Sequence, residues 1–427
     1  MSTNPYLQIL NLIQNNKQNE ASDLMNKLSS SQINNPILYN LNGLNLIKAG
    51  KYSESVEQFK KAIEIDKFYS DPFYNLGQLY YKLGNFSNAI EYLNEASKLK
   101  KNFIPCNFLL GECYYFSQNF HSALKKYIEI LDIQPHHADS FMRVLEILTF
   151  LDADSSIKNE ILEVNKNIEK IYDEQSHDFF TFKKKFNDLL AALQGKIPDN
   201  DNLYTQIIKN NKKNLNCDRH FKVFNKYGII AKDCFSCFKI QVELNNVIDL
   251  IKLYLIFNDL TLPKNNLRKC FVETRPEIPG TYKGLVYCES HDDIDNVRKI
   301  LDPKIKTIIG SSAIITNKRG CSEFGKKFPS YKVFEKERLM KYNEEWDKFE
   351  NLIDNNLTNF EISKSKDYVP TKKKLNLQDL LTILNWLRYA ENISDMSYKK
   401  FIDIKYFKNS NYFNFFISNQ INIRVIK

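Results

Sequence analysis

The spacing of apolar side chains changes once along the chain. From residue 5 to about 195 they recur every three or four positions, as in "NPILYNLNGLNLIKAGKYSESVEQFKKAIEIDK". That period predicts amphipathic helices joined by short turns. The stretch "QGKIPDNDN" ends the pattern with Gly, Pro and Asn and marks a boundary near 196–202. From 234 onward the period drops to two. "CFKIQVEL", "RKCFVETRP", "TYKGLVYCES" and "SSAIITNKR" alternate and read as strands. "NNVIDLIKLYLIFNDL" and "HDDIDNVRKIL" between them are helix-length, so the predicted order is βαββαβ. Ser290 is placed to cap the second of these helices, with Asp293 as its capping-box partner and Arg298 and Lys299 at its C-terminal end.

Within the helical part the chain repeats itself every 34 residues. Gly43, Gly77 and Gly111 recur at that spacing, as do Tyr52, Phe86 and Phe120, and Leu46, Tyr80 and Tyr114. Ala62 and Ala96 are followed by Ile130 in the same register. Small residues at recurring positions let the paired helices approach closely, while the aromatics fill gaps between pairs. The period and the order of small and aromatic positions resemble the tetratricopeptide repeat (TPR) family, with three full units over 36–137. Residues 5–30 read as a degenerate leading pair and 138–150 as a closing helix, giving a solenoid over 1–150.

The resemblance implies a peptide or partner helix held on the wall made by the first helix of each repeat. Carried over by position, that wall is Asn40, Leu44, Ile47 and Lys48; Tyr74, Gln78, Tyr81 and Lys82; Phe108, Glu112, Tyr115 and Phe116. The carboxylate clamp of some family members needs a basic side chain in the third repeat, where this chain has Phe108 and Glu112. An apolar extended or helical ligand is expected instead. Residues 151–200 are expected to be a helical extension or linker, 201–330 a ferredoxin-like α/β domain, and 331–427 a helical extension with a short terminal strand region.

The βαββαβ order predicts a ferredoxin-like layer with strand order 4-1-3-2. That order brings the starts of strands one and two beside the ends of three and four. Cys234 and Cys237 sit at the start of strand one, Cys270 at the start of strand two, Cys288 ends strand three, and His291 begins the following helix. Cys321 follows strand four, three strand spacings from Cys270. Cys234, Cys237 and Cys288, with His291 or Cys270, form the best candidate set for zinc or an iron–sulfur cluster. Buried core thiols and a redox pair are the competing readings, since a single C-x-x-C is a weak signal. On the other sheet face Lys239, Gln241, Glu243, Glu273, Arg275, Lys283, Leu285 and Tyr287 alternate outward. Charge on central strands implies solvent or a ligand on this open face of the sheet, and cover by another chain segment through salt bridges is the commoner outcome.

Charge and composition narrow the classes. The 427 residues are 43% hydrophobic and 26% charged, which fits globular domains rather than disorder. The opening "MSTNPYLQIL" lacks a basic segment before an apolar run, and the most apolar window, "VIDLIKLYLIF", is too short to span a bilayer. A cytoplasmic protein is expected, with cysteines as thiols or ligands rather than disulfides. Residues 1–200 carry 21 basic against 24 acidic side chains and 201–427 carry 39 against 27, so an acidic or nucleic-acid partner suits the second half. "KGLVYCES" matches an RNA-recognition signature only at Lys283, Gly284 and Tyr287, and strand one lacks a stacking aromatic. No dinucleotide or phosphate-loop glycine motif, H-E-x-x-H or nucleophile elbow is present, so no catalytic group is assigned. The reading is an adaptor protein. The alternatives are a TPR-coupled transferase-like enzyme with its site on the sheet face, and an RNA-binding domain.

Further on, Leu339, Tyr342, Trp346, Phe349 and Ile353 step as a helix seam. "SKSKDYVPTKKK" reads as a basic linker, "LNLQDLLTILNWLRYA" as an apolar helix, and "YFNFFISNQINIRVIK" as one or two strands.

Overall fold

The computed structural model describes residues 4–29, 34–152, 156–173, 178–193, 204–209, 215–275, 278–355, 371 and 375–402. The chain divides into two compact units after residue 144.

The first unit is a run of helices: α1 (Pro5–Gln14), α2 (Gln18–Ser29), α3 (Pro36–Lys48), α4 (Tyr52–Ile65), α5 (Ser70–Lys82), α6 (Phe86–Leu99), α7 (Ile104–Phe116), α8 (Phe120–Ile133) and the start of α9 (Ala138–Leu148). Their starts are written locally. Asn35 accepts from the Ile37 amide with Pro36 at the first helical position, and Asn85 and Asn119 cap α6 and α8 in the same way. Consecutive helices pack as pairs, and α3, α5 and α7 lie side by side. The 34-residue glycines explain the pairing. A Cβ on Gly43 would lie 2.5 Å from the Phe59 ring, one on Gly77 2.4 Å from Leu93, and one on Gly111 2.7 Å from Tyr127. Ala62, Ala96 and Ile130 are completely buried, as the repeat predicts. The aromatic position is less uniform: Phe86 is buried between Tyr81 and Phe116, whereas Tyr52 is 46% exposed.

The second unit contains α10 (Glu160–Asp173), α11 (Phe179–Leu193), β1 (Gln206–Lys209), α12 (Cys217–Tyr227), β2 (Phe238–Leu244), α13 (Val247–Asp259), β3 (Arg268–Val272), β4 (Tyr282–Cys288), α14 (His291–Ile308), β5 (Ile314–Arg319), α15 (Phe324–Lys327), α16 (Asp347–Asp354) and α17 (Leu377–Asn392). The five strands form one sheet in the order β1-β3-β4-β2-β5, every neighbour antiparallel. The four strands read from alternation are all present, and β1 is an addition at one edge. Helices α10 and α11, expected to extend the solenoid, belong to this unit: Asn165 on α10 accepts from the Leu377 amide, and Asn187 on α11 donates to the Phe401 carbonyl.

One sheet face carries the core. Ile240, Val242, Val286, Val272 and Cys270 are buried beneath α13, α14 and α17. Gly284 is the contact point for α13, since a Cβ there would lie 2.4 Å from Leu253. Arg268, 1% exposed, donates from Nη1 to the Phe257 and Leu260 carbonyls at 2.6 and 2.5 Å. It thus caps the C-terminal end of α13, where free carbonyls and the negative dipole end favour a cation. A buried ion pair, Lys209 Nζ to Asp379 Oδ2 at 2.5 Å, ties β1 to α17, with the Tyr254 hydroxyl donating to the same oxygen.

Two further readings change. Helix α14 runs through Pro303 to Ile308, so Arg298 is mid-helix, bonded to Asp302 and Asn317 rather than to a helix end. Ser290 does cap it, but the Asp293 carboxylate takes the Glu289 amide and Asn266. The 339–353 seam is not one helix. Two short 3₁₀ turns precede α16, and Met340, Trp346, Phe349 and Ile353 pack on a cluster of Val223, Ile230, Cys234, Phe324 and Tyr331. The basic linker, Thr371 apart, and the terminal strands lie outside the described residues.

Candidate functional site

Side chains of the first unit's wall come from α3, α5 and α7, whose spacing of 34 stacks equivalent positions. Asn40 is buried, accepting from Asn75 Nδ2 at 2.8 Å and donating to the Tyr69 hydroxyl. Tyr74 packs on Phe103 with ring centroids 5.0 Å apart, Tyr81 lies between Phe86 and Phe116, and Phe108 touches Tyr127 and His137. Glu112 is 6% exposed and held by both Arg143 Nε and Nη2, at 2.7 and 2.8 Å, and by the Tyr127 hydroxyl. The Arg143 guanidinium in turn stands 4.6 Å above the Tyr115 ring. Burial, then Glu112, pushes the Tyr81 phenol up. Tyr74, Gln78, Tyr81, Phe108 and Tyr115 keep partial exposure, and Lys48 and Lys82 are exposed. The wall therefore offers half-open aromatics with lysines at their margin. Its one wall carboxylate, Glu112, is internally neutralised.

In the second unit the C-x-x-C forms a turn that leads directly into β2 at Phe238, at the mouth of the strand as expected. Residues 232–236 form a 3₁₀ helix; the Cys237 amide donates to the Cys234 carbonyl, which also accepts from the Tyr331 hydroxyl at 2.7 Å. The Gly320 amide donates to the Cys237 carbonyl, bringing Cys321 alongside. Cys217, on α12, closes the group. Cys217, Cys234, Cys237, Cys288 and Cys321 line one cavity of about 180 Å³ with Lys239 and Tyr287. Cys270 and His291 stand outside it. Cys270 lies mid-strand opposite Gly284, under the helices, and the His291 ring packs on Phe238 and Phe334 with Nε2 2.7 Å from the Phe334 carbonyl. All eight cysteines are unbridged. Burial pushes the Cys234, Cys270 and Cys288 thiols well up, which keeps them protonated at neutral pH. Among the described residues no group of three His, Cys, Asp or Glu side chains is arranged to hold a metal ion. Sequence reasoning left Cys217 and His220 out of this group, because the 17 residues from Cys217 to Cys234 give no spacing signal.

The charged sheet face is covered, the commoner of the outcomes expected for it, and is not an open site. Lys239, Gln241, Glu273 and Lys283 are 6, 9, 4 and 3% exposed. Alternation assigns side chains to a face but does not say what lies over it. The charges meet partly among themselves: Glu273 binds Arg275 Nε at 2.8 Å, lies 4.0 Å from Lys283, and Gln241 donates to Glu243. Burial opposes ionisation of Glu273, but hydrogen bonds from Arg275 hold its carboxyl below the usual range. A base-stacking surface of the recognition-motif kind would need these strands open to solvent.

Lys239, Lys269 and Lys318 stand on this face. Lys318 is the cross-strand partner of Lys239 on β5. Burial first, then Lys239 and Lys283, push the Lys318 amine down to about 8. A base held below its unfolded value takes up a proton on unfolding between pH 8 and 10.5. Its penalty is therefore complete below pH 8 and disappears as pH rises toward 10.5. Lys318→Met is expected to be more stable than the wild type at neutral pH, with the advantage shrinking at alkaline pH. Urea midpoints of both proteins across that range check this; a constant gap would refute it.

Residues 43–84 match the family model described as TPR repeat, and residues 70–103 match that described as tetratricopeptide repeat. Solved structures with similar stretches include YrrB, a TPR protein with an unusual peptide-binding site, at 24% identity over 33% of this chain and 74% of that one, TM-score 0.30. MamA of Desulfovibrio magneticus RS-1 is 16% identical over 34% of this chain and 85% of its own, TM-score 0.30. The first TPR of Spaghetti (RPAP3), bound to the HSP90 peptide SRMEEVD, is 21% identical over 26% and 89%, TM-score 0.25. Curated proteins give no match. No described helix is long and apolar enough to cross a membrane.

Proposed function

We propose, on the premise that residues 43–103 are tetratricopeptide repeats, that the first unit is the capture module of an adaptor protein. It binds an apolar extended or helical segment along α3, α5 and α7. The observation that supports this is the half-open aromatic row, Tyr74, Tyr81, Phe108 and Tyr115, next to exposed Lys48 and Lys82. Aromatic side chains with one buried face supply large contact area at small entropic cost, the usual composition of interface hot spots. With Glu112 already paired to Arg143, the exposed charge at the margin is basic, so acidic residues are expected to flank the ligand's apolar positions. Asn40 contributes through Asn75 to wall shape rather than as a free contact, and Gln78 supplies a polar contact. The second unit is read as a ferredoxin-like layer with β1 added at one edge. The supporting feature is the order β3-β4-β2-β5 of its other four strands.

Affinity capture with Tyr81→Ala/Tyr115→Ala and with Lys48→Glu/Lys82→Glu tests the assignment. The aromatic double variant is expected to lose captured partner at least tenfold, and the lysine variant several-fold, while helical content stays that of the wild type. A partner retained at wild-type yield by both folded variants would remove the wall from the function.

A further inference from the structure

We propose that the thiol-lined cavity of the second unit binds a small oxyanion, a phosphate group free or on a compact molecule, with the Lys239 ammonium as its anchor. Lys239 projects from the interior strand β2, is 6% exposed, and lines the cavity. Its contacts are Cys321 Sγ at 3.5 Å and the Tyr287 ring, 4.9 Å from Nζ to the centroid. Neither neutralises a charge when the thiol and phenol are protonated. Among the described residues no carboxylate lies within 4.0 Å of Lys239, Lys269 or Lys318. A buried cation persists where an anion compensates it, and here the described residues supply none within 4.0 Å.

The acidic side chains at the cavity are already committed or face water. Glu289 pairs with Lys264 at 3.0 Å, and Asp233, 80% exposed, stands 3.7 Å from His220. Around the anchor the positive charge continues. Lys318 is directly across the β2–β5 pair from Lys239, and Lys269 lies on the same face of β3. Three amines gathered on one face suit a dianion better than a carboxylate, and lysine is a common phosphate binder as a point charge. Protonated thiols and the Tyr287 hydroxyl can donate to the remaining oxygens. A volume of about 180 Å³ is below the roughly 300 Å³ of ordinary small-molecule pockets, which favours one oxyanion group with a short organic stub over a whole nucleotide.

Calorimetric titration of the full chain at low ionic strength tests this with inorganic phosphate, phosphoserine and glycerol phosphate, and with acetate as a charge control. One-site binding of phosphate or a phosphomonoester is expected, at least tenfold tighter than acetate. The tighter of the two phosphate forms identifies the source. Lys239→Met is expected to weaken binding at least tenfold and Lys51→Met, in the other unit, to leave it unchanged. Should Lys239→Met fail to fold, Lys269→Gln/Lys318→Gln serves in its place, with a loss of fivefold or more expected. Bound phosphate should also slow alkylation of Cys321 in the wild type, read by mass spectrometry. The proposal is overturned by no binding of either phosphate form, by acetate binding equally well, or by undiminished binding in a folded Lys239 variant. Single-stranded RNA bound at this face and not displaced by phosphate would overturn it too.

Discussion

Lys209→Met is expected to lower the unfolding free energy of the second unit by about 3–5 kcal/mol, the usual loss when one partner of a buried ion pair is removed. Lys209 and Asp379 are 3% and 5% exposed in their side chains. Among the described residues the substitution leaves a carboxylate in the core with the Tyr254 hydroxyl and the Asn376-capped start of α17 for company. Burial already pushes the Asp379 carboxyl up, against the pull of Lys209. Without the lysine it rises further, so the neutral form is the one that fits. The variant's deficit should then grow as pH rises through that raised value and shrink as pH falls. Lys209→Met/Asp379→Leu, which removes both charges, should recover most of the loss. Both tryptophans, Trp346 and Trp386, lie in this unit, so urea unfolding followed by their fluorescence reports on it separately. A deficit below about 1 kcal/mol would mean that water reaches the pair.

Gly77→Leu is expected to unfold the middle of the first unit. Even its first carbon would lie 2.4 Å from Leu93 Cγ, so α5 and α6 are expected to be pushed apart at this contact. Overpacking of this kind costs about 1–3 kcal/mol, and more where backbone must move. The array transmits such a separation, because each repeat is buried only by its neighbours. The check is a circular dichroism melt with limited proteolysis, and cleavage between α4 and α7 is the expected pattern. An unshifted melt would show that the helices can slide to admit the side chain.

The repeat was legible because 34-residue periodicity is written three times, and close approach at Gly43, Gly77 and Gly111 is a property of the backbone that small residues announce directly. The sheet was legible where strands alternate for five to seven residues. Strand β1 was not, since "QIIK" is four residues long and is held by a partner, Phe271 to Arg268, that lies more than 55 residues away. For the cavity, the turn at Cys234 and Cys237 and the end of β4 at Cys288 could be placed from strand order. Cys217 could not, because a helix unrelated in period brings it there. Neither could the burial of Lys239: alternation fixes which residues share a face, and cover over that face comes from elsewhere in the chain. Covalent distance, not chemistry, is what separates the legible from the illegible positions.

The Lys209–Asp379 pair also sets a timetable on the ribosome. Its partners are 170 residues apart, which at about 5–20 residues per second is a wait of roughly 9–34 seconds between the synthesis of β1 and the arrival of α17. Each helix pair of the first unit, by contrast, is complete within one 34-residue period of its own start and can dock as soon as it emerges. The nascent chain therefore presents a finished aromatic wall while the thiols and buried lysines of the second unit are still unsheltered. A partner caught on that wall during synthesis would reach the chain before its second half has a core.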